Sequence, residues 1–115
     1  MLQIPVSVIV PCFNVKEYIQ EGIKSITSQT YTNFEIVCLD DYSNDGTYEI
    51  LIELAKNDER IKVYRNECNI GLIRTLNRLV ELSNYDVLIR MDPDDISLND
   101  RFEKLLSGFS KTGVC

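Results

Sequence analysis

Phe34-Glu35-Ile36-Val37-Cys38-Leu39-Asp40-Asp41-Tyr42-Ser43-Asn44-Asp45-Gly46 settles the class of the fold. Its first half is an apolar run of the length of one strand, and its second half is a turn-rich acidic loop. Such a run fits a strand covered on both faces, which needs helices on either side of a parallel sheet. The acids sit at the strand's carboxyl end, where open α/β sheets bind their ligands.

Upstream, Val6-Ser7-Val8-Ile9-Val10 is another buried run, stopped by Pro11. Asn14 with Glu17 approximates a capping box, and Ile19, Ile23 and Ile26 recur at helical spacing, so a helix is expected over residues 15–28. Downstream, Ile50, Leu51, Leu54 and Ala55 mark a second helix and Ile61-Lys62-Val63-Tyr64 a third strand. Leu72, Leu76, Leu79 and Val80 predict a third helix, and Val87-Leu88-Ile89-Arg90-Met91 a fourth strand. Asp92-Pro93-Asp94-Asp95 follows; then Ser97 with Asp100 starts a last helix whose apolar face is Phe102, Leu105, Leu106 and Phe109.

Strands alternating with helices give right-handed crossovers, which carry strands one, two and three toward one edge. If strand four returns beside strand one, the order is 3-2-1-4 in a Rossmann-like three-layer α/β/α architecture, and a crevice opens between strands one and four. No linker, repeat or low-complexity stretch interrupts the pattern, so residues 1–115 are expected to form a single domain.

The totals narrow the chemistry. With 44% hydrophobic and 26% charged residues the chain reads as soluble and globular. Eighteen acids against twelve bases give a net charge of -6, which argues against a nucleic-acid partner. The absence of histidine removes imidazole zinc sites and the Ser-His-Asp arrangement, so any metal is hard and oxygen-bound. Cys12, Cys38, Cys68 and Cys115 make no C-x-x-C pair and read as free thiols. The amino terminus lacks a basic leader, and the run over residues 6–10 is too short to span a membrane, so a cytoplasmic location is expected.

In the 3-2-1-4 order the Pro11-Cys12-Phe13-Asn14 loop faces Asp92-Pro93-Asp94-Asp95, with Asp40 and Asp41 one strand away. Five carboxylates at one rim repel one another unless a cation or hydrogen-bond donors compensate, which makes a candidate hard-metal site. The competing reading is that each acid caps a helix or holds a turn. Asp45 and Asp100 fit that second reading and Asp40-Asp41 stand between the two. The loop stiffened by Pro93 fits the first.

Six ordered blocks resemble the family 2 glycosyltransferases of the nucleotide-diphospho-sugar transferase, or GT-A, fold. They are Val6 to Asn14, Ser25 to Tyr31, Asn33 to Val37, Asp40 to Thr47, Asn69-Ile70-Gly71-Leu72 and Arg90 to Ser97. The resemblance implies the amino-terminal, nucleotide-binding half of such an enzyme, with Pro11, Phe13 and Asn14 in the nucleotide pocket and Asp41 hydrogen-bonding the base. Asp92 and Asp94 would form the D-x-D element, Asp94 coordinating Mn²⁺ or Mg²⁺ and Asp92 reaching the ribose or the metal shell. Arg74 would add a positive group for the phosphates. The implied donor is a nucleotide-diphospho-sugar, a UDP-sugar first of all, and the acceptor a saccharide or other hydroxyl, with inversion, in polysaccharide biosynthesis. The full-length enzyme would work in the cytoplasm or at the inner face of the membrane.

Tyr42 stands where the family more often has glycine, and Cys12 where it has alanine or serine. Family members usually continue with the acceptor site and the carboxylate that deprotonates the attacking hydroxyl. That base is therefore expected beyond Cys115, this stretch alone is expected to transfer no sugar, and its uncovered apolar surface to favour self-association. A receiver-like Mg²⁺-binding signalling module is the alternative, but it expects acids after strand one and an aspartate after strand three, where Pro11 and Arg65-Asn66 stand. A nucleotidyltransferase expects a glycine-rich basic loop after strand one, which Cys12-Phe13-Asn14-Val15 does not supply.

Overall fold

The structure is a computed structural model describing residues 3–94 and 100–112. Four parallel strands, β1 (Val6–Cys12), β2 (Phe34–Asp40), β3 (Ile61–Arg65) and β4 (Val87–Arg90), form one sheet in the order β3-β2-β1-β4. Val8 lies between Ile36 and Ile89 in register, and every residue of β1 and β2 is buried. The expected order is therefore the observed one, with β1 and β2 central.

β1 runs through Pro11 rather than stopping there. The Ile9 carbonyl accepts from Met91 N–H on the β4 side, and the Cys12 carbonyl accepts from Asp41 N–H on the β2 side. Alternation turns the backbone of Pro11 toward β4, whose ladder with β1 already ends at Ile9 and Arg90. The donor that proline lacks is not needed there.

Helices α1 (Ile19–Thr27), α2 (Thr47–Asn57) and α4 (Arg101–Thr112) contribute to one face, where the even residues of β1 and β2 meet Ile19, Ile23, Ile26, Leu51, Phe102 and Leu106. Phe34 and Phe102 meet edge to face at 5.7 Å. Helix α3 (Leu72–Leu82) stands on the opposite face, where Leu79 packs on Ile9, Val37 and Leu39. That strip is narrow, which is why only Leu79 of the expected α3 stripe is buried and Leu72 and Val80 are half exposed. Leu105 of α4 is likewise half exposed; the Phe109 side chain and Ser97 lie outside what the structure describes.

α1 begins later than the residue pattern implies. Asn14 has φ 50°, in the left-handed region, and its Oδ1 accepts from Asn44 N–H, so it ties two loops together instead of capping a helix. Among the described residues no helix is long and apolar enough to cross a membrane.

On the α3 face, Glu35 is a buried carboxylate at the amino end of β2. It accepts from Ser7 Oγ (2.5 Å), Asn84 N–H (2.7 Å), Asn84 Nδ2 (2.8 Å) and Lys62 Nζ (3.1 Å). Burial pushes its pKa up, but the donors from Ser7, Asn84 and Lys62 outweigh burial and hold it below the ordinary value of 4.5. A depressed carboxylate stabilises the fold fully above its unfolded value, and that share is lost as pH falls through the folded value. Glu35→Gln is expected to cost about 1–3 kcal/mol at neutral pH through unmet buried donors. It should also flatten stability below pH 4.5, which urea melts from pH 3 to 7 would read.

Candidate functional site

The site is built where β1, β2 and β4 end. The loop after β2 is anchored by Asp40, whose carboxylate accepts from Ser43 N–H (3.0 Å) and Ser43 Oγ (2.5 Å) and lies 3.3 Å from Arg65 Nε. Arg65 in turn donates to the Ser43 carbonyl and stacks on Tyr42 and Tyr48, its guanidinium 4.9 Å from each ring centre. Tyr42 sits at φ 61°, a conformation that favours glycine, and the stack on Arg65 offsets that strain.

The same loop clamps the one after β1. Asn14 N–H donates to Ser43 Oγ, Val15 N–H to Thr47 Oγ1 and Lys16 N–H to Asp45 Oδ2. Asp45 Oδ1 accepts from Thr47 N–H at the start of α2, the turn-holding role expected for it. At the start of α4 the Asp100 carbonyl accepts from Lys104 N–H and its carboxylate lies 3.3 Å from Lys104 Nζ.

Asp41 is 4% exposed, and its carboxylate is the hub of the next loop. Oδ1 accepts from Asn66 Nδ2 (2.9 Å) and Ile70 N–H (2.8 Å), and Oδ2 from Gly71 N–H (2.9 Å). Gly71 needs its φ of 90° to turn the chain into α3. The result is a cavity of about 200 Å³ whose lining includes Pro11, Phe13 and Asp41 from the sheet ends and Gly71, Leu72 and Thr75 from the start of α3. Phe13 is half exposed over it. Cys12 also lines it, and a hydrogen bond with Cys38 and burial push that thiol well above its ordinary pKa, which disfavours the thiolate.

Among the described residues the expected carboxylate rim does not form as one cluster. Asp40 and Asp41 turn inward, because Arg65 and the unpaired loop N–H groups draw them more strongly than a shared rim does. Asp92 is half exposed, with Oδ1 accepting from Arg90 Nε at 3.1 Å, and Asp94 is exposed. Asp95 lies outside the described residues. Among the described residues no three histidine, cysteine or acidic side chains meet in a metal cage. Two carboxylates on one loop still match a cation that takes its remaining oxygens from water and diphosphate.

Of the other expected residues, Asn14 and Arg74 do not line the cavity. Asn14 is an exposed loop tie, and Arg74 is exposed on α3 beside Asn77, Arg78 and Glu81. Two residues that place the site carry a weaker signal in the sequence. Gly22 is a glycine inside a helical pattern: a Cβ built on it would stand 2.2 Å from the Pro93 carbonyl oxygen, so α1 and the Asp92–Asp94 loop meet backbone to backbone. Asn66, an asparagine after a strand, is buried and tethers Asp41.

The chain is similar in sequence and fold to known proteins. An uncharacterized glycosyltransferase of Haemophilus influenzae is 42% identical over 106 residues, covering 92% of this chain and 33% of that protein. The structure of Staphylococcus aureus TarS 1-349 in complex with UDP-GlcNAc superposes with a TM-score of 0.87 at 27% identity, over 96% of this chain and 32% of that one. The mannosyltransferase PcManGT from Pyrobaculum calidifontis, in complex with GDP-Man and Mn²⁺, shares the fold with a TM-score of 0.87 at 23% identity, over 95% of this chain and 33% of that one. The chain thus spans about a third of the length of the relatives it matches, and its three-layer α/β sheet is that of GT-A glycosyltransferases. The family model described as glycosyl transferase family 2 matches residues 7–115, nearly the whole length, and the chain belongs to that family.

Proposed function

We propose that this chain is the donor-binding part of an inverting glycosyltransferase that takes a nucleotide-diphospho-sugar, a UDP-sugar first of all, and transfers the sugar to a saccharide or other hydroxyl. The observation that carries the reading is the cavity between Pro11 and Thr75, with the buried Asp41 carboxylate on its wall. Asp41 Oδ2 has a lone pair left to accept an N–H of the base, and Phe13 offers the ring a face. The complex of TarS with UDP-GlcNAc supports a uridine donor.

Asp92 and Asp94 would hold Mn²⁺ or Mg²⁺, which when bound neutralises the leaving diphosphate. Arg90 holds Asp92 in place from the strand end. In transfer, the acceptor oxygen bonds to the anomeric carbon as the bond from that carbon to the diphosphate breaks, and the hydroxyl proton passes to a base on the opposite face. We place that base, and the acceptor site, in the part of such enzymes that this chain does not span. Free thiols at Cys12, Cys38 and Cys68 suit a reducing cytoplasm.

Thermal melts with UDP, GDP and dTDP, each with Mn²⁺, test the donor site. Ligand at 100 times its dissociation constant adds about 2.7 kcal/mol, and UDP should give the largest rise. No rise with any of the three would overturn the reading.

A further inference from the structure

Asn66 lies just past β3, buried at 1% exposure, and its backbone N–H donates to the Asp40 carbonyl at 2.9 Å. Its side chain is held at three points. Nδ2 donates to Asp41 Oδ1 (2.9 Å) and Thr75 Oγ1 (3.2 Å), and Oδ1 accepts from Arg78 Nη1 (3.2 Å). A guanidinium only donates and a carboxylate only accepts, so the amide fits one way round.

The consequence appears on the cavity wall. Asn66 and Ile70 N–H fill Asp41 Oδ1, and Gly71 N–H takes one position on Oδ2. Of the roughly four acceptor positions of a carboxylate, about one is left, on the oxygen that Asn66 does not hold. The Thr75 oxygen accepts from Asn66, which leaves its hydroxyl proton to be donated. Asp41 and Thr75 both line the cavity. One amide therefore ties together the residues that offer an acceptor and a donor on the cavity wall.

We propose that Asn66, locked by Arg78, is a positioning residue for base selection, aiming Asp41 and Thr75 at a base edge with one N–H beside one carbonyl oxygen. Uracil and thymine carry that edge. Guanine carries N1–H beside O6 as well, but its N2 amine on the other side of N1–H would bring a second donor to Asp41, whose carboxylate has about one acceptor position left. The proposal rests on the reading of the cavity as the base pocket.

Calorimetry on the 115-residue chain tests it with UDP, GDP and Mn²⁺-pyrophosphate as ligands, the last having no base. Asn66→Asp sets an oxygen against Asp41; it is expected to weaken UDP about tenfold and bring the UDP-to-GDP ratio toward one, with pyrophosphate unchanged. Arg78→Met alters an exposed side chain and decides the matter if Asn66→Asp melts early. It should move the same ratio about threefold, a fraction of one tenfold step. Ratios unchanged in both variants while Asp41→Asn weakens UDP would overturn the proposal alone, as would equal losses for all three ligands. Unchanged UDP affinity in Asp41→Asn would overturn the base-pocket reading, and the proposal with it.

Discussion

Asp94→Asn is expected to remove the metal-dependent part of nucleotide binding and to leave the thermal midpoint of the free chain where it is. Asp94 is exposed on the loop after β4, so its neutral isostere disturbs no packing. What changes is charge: a hard cation held by two carboxylates loses one of them, and an amide oxygen is a much poorer ligand. The loss should exceed the ~10–100-fold that removing a supporting group from a metal site costs. Titrating UDP into the variant with and without Mn²⁺ measures it directly. Identical enthalpy and affinity in parent and variant, both with Mn²⁺, would sink the assignment of Asp94 to the metal.

Gly22→Ala should be nearly as damaging from a position that touches no ligand. Helix propensity alone would make this change stabilising by about 1 kcal/mol. Sterics decide the opposite sign. A Cβ on Gly22 would meet the Pro93 oxygen at 2.2 Å and the Pro93 carbon at 3.0 Å, where real Cβ contacts essentially never fall under 3.0 Å. The obstacle is backbone, which cannot swing aside as a long side chain does, so the Asp92–Asp94 loop has to move outward. A shift of about 1 Å at a remote position costs about 100-fold where geometry matters. Mn²⁺-dependent UDP affinity should fall by that order, with a lower thermal midpoint, while metal-free nucleotide binding through Asp41 persists. A higher midpoint with unchanged Mn²⁺ response would show that the loop gives way freely.

The strands were legible because each is a short apolar run closed by turn residues, and handedness left few places for β4. What a one-dimensional pattern does not carry is where a polar side chain finds its partner. Asp40 and Asp41 read as a rim pair, yet Arg65 and the N–H groups of Ile70 and Gly71, far along the chain, pull them inward. Asn14 read as a cap because its spacing to Glu17 is right; its side chain is spent on Asn44 instead. The apolar run of α3 gave the helix but not its buried face, which the width of the strip at Ile9, Val37 and Leu39 sets. Gly22 showed only as an irregularity in a helix, since the loop it admits comes from the other end of the chain.

α3 is fastened in an unusual way. Beneath it one leucine is fully buried, but carboxylates at the two ends of β2 hold its flanks: Asp41 grips the turn before it and Glu35 grips Asn84 after it. The larger apolar cluster lies on the other side of the sheet and does not depend on α3. The wall of the cavity is thus held by polar ties at Asp41, Asn66 and Glu35 over a thin apolar strip of Leu76, Leu79 and Leu82. On the proposed reading, a base seated against Asp41 would add one more tie between the sheet and the turn into α3, so donor binding and the anchoring of this helix would be coupled.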